Sequence, residues 1–107
     1  MDDRQFTAAA DEALADLYKR LIEATDQYEL EVDFNGGVLS VEFEEPPAKF
    51  VVSPNSSVRQ IWVSARSKSF KLDWNDARSS FVLNGAQTLP EMMADVIGQQ
   101  IGETVRL

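Results

Sequence analysis

Five acidic residues, with no basic residue among them, lie in one short stretch of the chain. They fall between positions 23 and 33: Glu23, Asp26, Glu29, Glu31 and Asp33. The last three alternate with apolar residues, and this period of two places their carboxylates on one face of a strand. Crowded like charges repel one another and destabilise the compact state. Because carboxylate oxygens are ligands of hard cations, a metal ion is the first candidate for neutralising this stretch.

The chain contains no cysteine and no histidine. It therefore has no disulfide, no thiolate zinc site, and no Ser-His-Asp or Cys-His catalytic arrangement. Any bound metal must be held by carboxylates, carbonyls and water. Those are ligands of exchangeable ions and not of a tightly bound cofactor.

Length and charge limit the domain organisation and the partners. The 107 residues are enough for one domain, residues 1–107, and the hydrophobic fraction of 44% is typical of a globular chain. Residues 1–47 hold thirteen acids and three bases, a charge of −10, whereas residues 48–107 hold five acids and seven bases, a charge of +2. This asymmetry argues against nucleic acid as a partner and favours a cation or a basic protein surface.

Neither a membrane span nor a targeting segment is expected. No apolar run approaches the roughly 18 residues that cross a bilayer. The first residues are acidic and lead directly into a helix, unlike a signal or transit peptide. We therefore expect a cytoplasmic protein with no membrane partner.

Hydrophobic spacing predicts a helix at each end of the chain with strands between them. The first helix begins at Asp2 or Asp3 and carries an apolar stripe from Phe6 to Ala24. The second begins at a capping box, Thr88 to Glu91, and stops near Gly102. Strands are predicted at 28–34, 38–44, 49–53, 59–65, 69–74 and 80–83, and short turns make them antiparallel neighbours. The predicted fold class is α+β, a two-layer sandwich with two helices on one face of a five- to six-stranded antiparallel sheet.

One tryptophan is predicted to lie on the open face of that sheet. Trp62 stands between Ile61 and Val63 on the same strand, so it points the opposite way from them. If the two aliphatic residues face the helices, Trp62 is exposed with Gln60 and Ser64 beside it. An exposed tryptophan on a flat polar sheet is a candidate anchor for a protein interface.

Four segments, in this order of elements, resemble the bacterial branch of the frataxin family. They are Asn-Gly-Gly-Val-Leu at 35–39, Gln-Ile-Trp-Val at 60–63, Leu-Asp-Trp at 72–74 and Gln-Gln-Ile-Gly-Glu-Thr-Val at 99–105. The resemblance covers essentially the whole chain. It implies a helix–sheet–helix sandwich that binds iron, as Fe²⁺ or Fe³⁺, weakly and exchangeably at its acidic edge. It also implies docking on the cysteine desulfurase and the scaffold protein that assemble iron–sulfur clusters, and regulation of their rate as an iron donor or sensor.

The resemblance also assigns residues. It places the metal-binding ridge on the five acids above and on two acids further up the first helix, Asp16 and Glu12. Relatives carry more acids where this chain has Tyr18, Lys19 and Ile22, which shifts the predicted metal site toward the first strand. The predicted partner surface on the sheet comprises Gln60, Trp62, Ser53 and Ser64.

Two other functions remain open at this stage. The first is weak ferroxidase or iron-storage activity, although the Glu-x-x-His pattern of di-iron carboxylate proteins is absent. The second is an acidic interaction domain with no metal role, because acidic faces also keep small proteins soluble. We expect no other enzyme activity. The high negative charge favours a monomer, with iron-dependent oligomers as the alternative.

Overall fold

Two helices pack on one face of an antiparallel sheet in the computed structural model, which describes residues 1–107. The helices are α1 (Asp3–Ala24) and α2 (Leu89–Ile101). The strands between them are β1 (Glu31–Asn35), β2 (Val38–Glu44), β3 (Pro47–Asn55), β4 (Gln60–Ala65), β5 (Lys68–Asn75), β6 (Ser80–Leu83) and β7 (Gln87–Thr88). The predicted α+β sandwich is confirmed. The sheet has seven strands, slightly more than the predicted five to six, and this is compatible with the predicted class.

Every strand of the sheet pairs with the next one along the chain, in the order β1 to β7. The strand that the sequence did not predict, β7, has only two residues, which is too short for a pattern of alternation. The two outer strands are β1 and β7. The longer free edge of the sheet therefore belongs to β1.

Two prolines lie inside β3, which is longer than the predicted 49–53. Pro47 is its first residue, where a missing N–H is tolerated. Pro54 pairs with Ile61 of β4 but lies beyond the last β2–β3 pair, Leu39 with Val52. Because no second strand lies beside it there, its missing N–H interrupts no ladder on that side. Proline thus does not end this strand where the sequence suggested.

The core lies between the helices and one face of the sheet. Alternate residues of β2, β3 and β4 face the helices, and the largest fully buried side chains come from both layers: Phe6, Phe50, Phe81, Leu14, Leu17, Leu21, Leu39, Ile61, Leu72, Met92, Met93 and Ile97. The predicted stripe of α1 is buried from Phe6 to Ala24. Neither helix is long and apolar enough to cross a membrane.

A polar residue, Gln100, is buried on α2 and was not predicted there. Its Nε2 donates to the backbone oxygen of Pro46 at 2.9 Å, and its Oε1 accepts from Arg66 Nη1 at 2.9 Å. Both ends of the amide are thus satisfied, as burial of a polar group requires. Gln100 therefore ties α2 to the β2–β3 and β4–β5 turns.

The start of α2 has the predicted capping box. Thr88 Oγ1 accepts a hydrogen bond from the Glu91 backbone N–H at 3.4 Å, and Glu91 Oε1 accepts from the Thr88 N–H at 2.9 Å. The Thr88 N–H, with smaller contributions from the Thr88 side chain and Arg78, holds the pKa of Glu91 below its ordinary value of 4.5. The ionised carboxylate is thus the form that the cap stabilises.

We expect Thr88→Ala to lower the free energy of unfolding by about 1 kcal/mol, because it removes the side-chain half of this cap. Urea unfolding followed by circular dichroism measures the loss.

The stability that Glu91 contributes should depend on pH. Because the pKa of Glu91 is lowered in the folded protein, this contribution is fully present at pH values above 4.5 and is lost as the pH falls through the lowered pKa. The difference in stability between the wild type and Glu91→Gln should therefore shrink in acid, and a difference that is independent of pH would contradict this role.

Candidate functional site

The five acids found in the sequence lie along one stretch of the chain, which runs from the end of α1 to the outer strand of the sheet, β1. Glu23 lies in the last turn of α1, Asp26 and Glu29 lie in the connection that follows, and Glu31 and Asp33 lie on β1. We call these five residues the acidic rim. The structure thus places these residues on the end of a helix, on the connection after it and on an edge strand of the sheet.

The first strand starts later than the sequence predicted. The alternation predicts a start at Tyr28, but β1 begins at Glu31, because residues 25–28 form turns that continue the end of α1 and residues 29 and 30 belong to no helix or strand. The backbone N–H groups of Gln27 and Tyr28 both donate to the oxygen of Ala24, at 3.0 Å each. Glu29 therefore belongs to the connection and not to the strand.

All five side chains of the acidic rim are exposed, and none forms an ion pair. The four ion pairs of the structure use other acids, namely Asp3, Asp16, Glu42 and Glu91. The negative charge of the rim is consequently not neutralised within the chain. It is available to a positively charged ligand.

The two remaining predicted metal ligands lie elsewhere. Glu12 and Asp16 line an open groove between α1 and the start of α2, near Pro90 and Arg106. Asp16 Oδ2 also forms an ion pair with Arg20 Nε at 2.8 Å. The structure therefore does not bring these two acids to the acidic rim.

Four further glutamates stand next to the rim and were not predicted. A shallow depression of about 640 Å³ is lined by Glu29 and Glu31 of the rim and by four others, Glu42, Glu44, Glu45 and Glu103. Glu42 and Glu44 could have been found from the sequence, because they alternate with buried residues of a strand joined to β1 by a tight turn. The position of Glu103 depends on how the chain turns after α2, which no local pattern indicates.

The carboxylates at this edge do not form a closed cage. No group of three or more acidic side chains in the structure is arranged to hold a metal ion. Glu31 stands directly opposite Glu42 across the β1–β2 ladder, so pairs of oxygen donors are available. Two carboxylates completed by water suit a hard, exchangeable ion, and selectivity between such ions should be low.

This arrangement has an electrostatic cost. Like charges that face each other across two strands are destabilising, and Glu31 faces Glu42 in this way. Lys49, opposite Glu42 on β3, offers one partner, with its Nζ 3.7 Å from Glu42 Oε1. Both of these side chains are more than half exposed, so their pair contributes little stability. Binding of a cation or of a basic surface would relieve the remaining repulsion.

The open face of the sheet has the exposed tryptophan that the alternation predicted. Trp62 is 38% exposed, while Ile61 and Val63 are buried. Its Nε1 donates to Gln60 Oε1 at 2.9 Å, and Gln60 Nε2 donates to Asp73 Oδ1 at 3.0 Å. These hydrogen bonds hold the indole ring in place on the sheet surface.

The neighbours of this tryptophan complete a polar patch. Ser53 of β3 and Lys71 of β5 stand directly opposite Trp62 on the two flanking strands, and Lys71 Nζ lies 4.8 Å from the centroid of the indole ring. Ser64, two residues along β4, is exposed on the same face. The four predicted residues of the partner surface are thus adjacent, and Lys71 joins them.

Fold and site together define a class, a helix–sheet–helix α+β sandwich with acidic residues at an edge strand and an exposed tryptophan on the open face of the sheet. The protein-family model described as the frataxin-like domain matches residues 1–103 of the sequence. The chain belongs to the frataxin family, in its bacterial branch.

Two relatives and one solved structure show how close the similarity is. The iron-sulfur cluster assembly protein CyaY of Dechloromonas aromatica (strain RCB) is 34% identical over 110 residues, which cover all of this chain and 99% of that protein. The CyaY protein of Azotobacter vinelandii (strain DJ / ATCC BAA-1303) is 33% identical over 95 residues, covering 86% of each chain. Frataxin from Psychromonas ingrahamii has the same fold, with a TM-score of 0.75 at 21% identity over 99% of this chain and 97% of that one.

Proposed function

We propose that this protein takes part in iron–sulfur cluster assembly, binding iron weakly at the acidic rim and docking on the cysteine desulfurase and its scaffold protein. The observation that carries the proposal is the acidic rim itself, five exposed carboxylates without an ion pair in the chain. The two CyaY relatives bear the name of iron-sulfur cluster assembly proteins, which supports the same role. In this proposal the protein works in the cytosol as a regulator, with iron as its cargo.

The chemistry of the donors determines how iron would be held. Oxygen ligands from one or two carboxylates, completed by water, give a weak site for Fe²⁺ or Fe³⁺. Glu31 of β1 and Glu42 of the facing strand would provide one such pair, and Asp33 would bind an ion as a single carboxylate. Because this geometry selects no particular metal, Mn²⁺, Co²⁺ and Ca²⁺ should compete for the site.

Docking would use two surfaces, the acidic rim, which includes part of β1, and the open sheet face around β4, with β2 and β3 between these two strands. The acidic rim would face a basic patch of the desulfurase, where complementary charge increases the rate of encounter and fixes orientation. The open face around Gln60, Trp62, Ser53 and Ser64 would contact the scaffold protein, with the indole ring as the anchor. Since β1 and β4 belong to the same sheet, a single rigid body would present both surfaces to the assembly complex.

Residue-by-residue mapping of a paramagnetic ion tests the metal part of the proposal. We expect anaerobic Fe²⁺, or Co²⁺ as its substitute, to broaden nuclear magnetic resonance signals around residues 23–33 and Glu42, while Asp95 on α2 stays sharp. Excess Ca²⁺ should reverse the effect. Replacing Glu31 by Gln and Asp33 by Asn should weaken the broadening, whereas the control Asp11→Asn with Asp95→Asn should not.

Uniform broadening, or none, would instead favour an interaction domain with no metal role. Oxygen consumption, measured separately on the same protein with Fe²⁺ in aerated buffer, distinguishes a carrier from a ferroxidase, because only the ferroxidase would turn over added Fe²⁺ repeatedly.

A further inference from the structure

The outer side of β1 is a free strand edge. Asn35 and Val38 flank a two-residue turn, Gly36-Gly37, in which both φ angles are positive. In such a hairpin the flanking pair exchanges hydrogen bonds, and so does every second pair after it. The N–H and C=O groups of the intervening residues, Val32 and Phe34, therefore point away from β2. No other part of the chain forms a hydrogen bond with them.

The helix-facing side of this edge is apolar and incompletely covered. Val32 and Phe34 are only partly buried against the core. The ring of Tyr18 on α1 lies 5.4 Å from the ring of Phe34, measured between centroids. One helical turn further along the same face of α1, Ile22 is 42% exposed. Apolar surface thus borders the free edge on this side.

The opposite side of the same edge is acidic. Glu31 and Asp33 alternate with Val32 and Phe34, are exposed, and have no ion-pair partner. A strand laid along β1 would therefore meet carboxylates on one face and apolar side chains on the other. Such a strand requires a period of two, with basic and apolar residues alternating.

We propose that β1 accepts an extended segment of a partner protein as an eighth strand, with alternating basic and apolar residues. The N–H and C=O groups of Val32 and Phe34 would provide four hydrogen bonds to it, as in other cases of strand addition. Its basic residues would pair with Glu31 and Asp33. Its apolar residues would cover the exposed area near Phe34 and Ile22.

Charge decides between a basic partner and a second copy of this chain. Two copies joined through β1 would place the acids of one edge beside the acids of the other, and like charges on adjacent strands repel. A positively charged strand would instead be attracted by Glu31 and Asp33. The inference rests on the proposed function only in taking the acidic rim as a docking surface for a basic protein.

A synthetic peptide tests the inference without any desulfurase. The probe has about seven residues, alternating lysine and valine, long enough to span β1. We expect it to slow hydrogen exchange at the amides of Val32 and Phe34 by about tenfold or more at saturation, because these N–H groups become bonded. Unchanged exchange at both amides in the saturated complex would overturn the inference. Failure of the peptide to bind at millimolar concentration would also overturn it, while leaving docking on a folded desulfurase surface untouched.

N-methylation of the probe provides the geometric control. In one version the backbone nitrogens of the lysines are methylated, and in the other those of the valines. A strand addition uses only one of these two sets, so one version should lose binding and the other should keep it. Equal binding by both versions would show attraction by charge alone and would overturn the proposal.

Protein variants locate the contact. Replacing Glu31 by Gln together with Asp33 by Asn should weaken peptide binding by about tenfold, the loss expected for two surface charge pairs. The control, Asp11→Asn with Asp95→Asn, changes the net charge equally but lies on the helices, and it should change the affinity less than about twofold. Equal losses in the two variants would overturn the assignment to β1.

Discussion

Replacing Glu29, Glu31 and Asp33 by lysine is expected to abolish binding to the cysteine desulfurase, with a loss of more than about 100-fold in affinity. Each replacement removes an attraction and places a like charge against the proposed basic patch, and such contacts cost several kcal/mol in total. Isothermal titration calorimetry with the isolated desulfurase measures the affinity. The rate of cluster assembly in the reconstituted system should lose its dependence on this protein in parallel.

The matched control reverses three acids away from β1, namely Asp11, Glu12 and Asp95. Glu12 belongs in this set because it lines the groove between the helices. The control should bind with nearly unchanged affinity, which separates a local surface from the effect of net charge. The rim variant should fold at least as stably as the wild type, since a lysine at position 31 would face Glu42. Equal affinity of the rim variant and the wild type would remove the main support for docking through the acidic rim.

Gly98→Ala is expected to destabilise the protein by about 1–3 kcal/mol, although alanine is the better helix former by about 1 kcal/mol. A Cβ at position 98 would lie 2.7 Å from the backbone oxygen of Glu103, closer than such atoms approach in proteins. The backbone oxygen of Gly98 also accepts hydrogen bonds from Gly102 and Glu103. The chain after α2 would therefore have to move, together with the buried side chain of Val105.

Urea unfolding of Gly98→Ala beside Gln99→Ala measures this cost. Gln99 is exposed on the same helix, so the second variant reports helix propensity alone and should be close to neutral. A Gly98→Ala protein as stable as the wild type would mean that the segment after α2 relaxes without loss. Val105 would then contribute less to the core than its burial indicates.

The architecture of this protein follows from periodicity wherever the elements are long and half-buried. The stripe of α1 and the capping box of α2 were both predicted from spacing. The errors fall where tertiary contacts decide. The alternating run after Tyr28 predicts that this residue belongs to a strand, but turns that continue α1 hold it outside the sheet. The sequence predicts that the third strand ends before Pro54, yet Pro54 lies within β3, at a point where this strand has a neighbour on one side only.

In the candidate site too, some features follow from the sequence and others depend on tertiary contacts. The exposure of Trp62 followed from its neighbours in sequence, because side chains on one strand must alternate. The acidic rim was also visible as a run of charge. Glu103 was not, since its approach to Glu29 depends on the path of the chain after α2. The burial of Gln100 on α2 could not be predicted either. A polar side chain is not expected in a buried stripe unless its hydrogen-bond partners, here Arg66 and Pro46, are known.

The strictly sequential order of the sheet has a consequence for folding on the ribosome. Each strand pairs with the one synthesised just before it, so the sheet can grow by short hairpin closures while translation proceeds, at a small cost in loop entropy. The apolar face of the sheet remains partly exposed, however, until α2 leaves the exit tunnel and packs against β6 and β7. A nascent chain stalled before residue 89 would hence carry a nearly complete sheet with half of its cover missing, and would be a natural client for a chaperone.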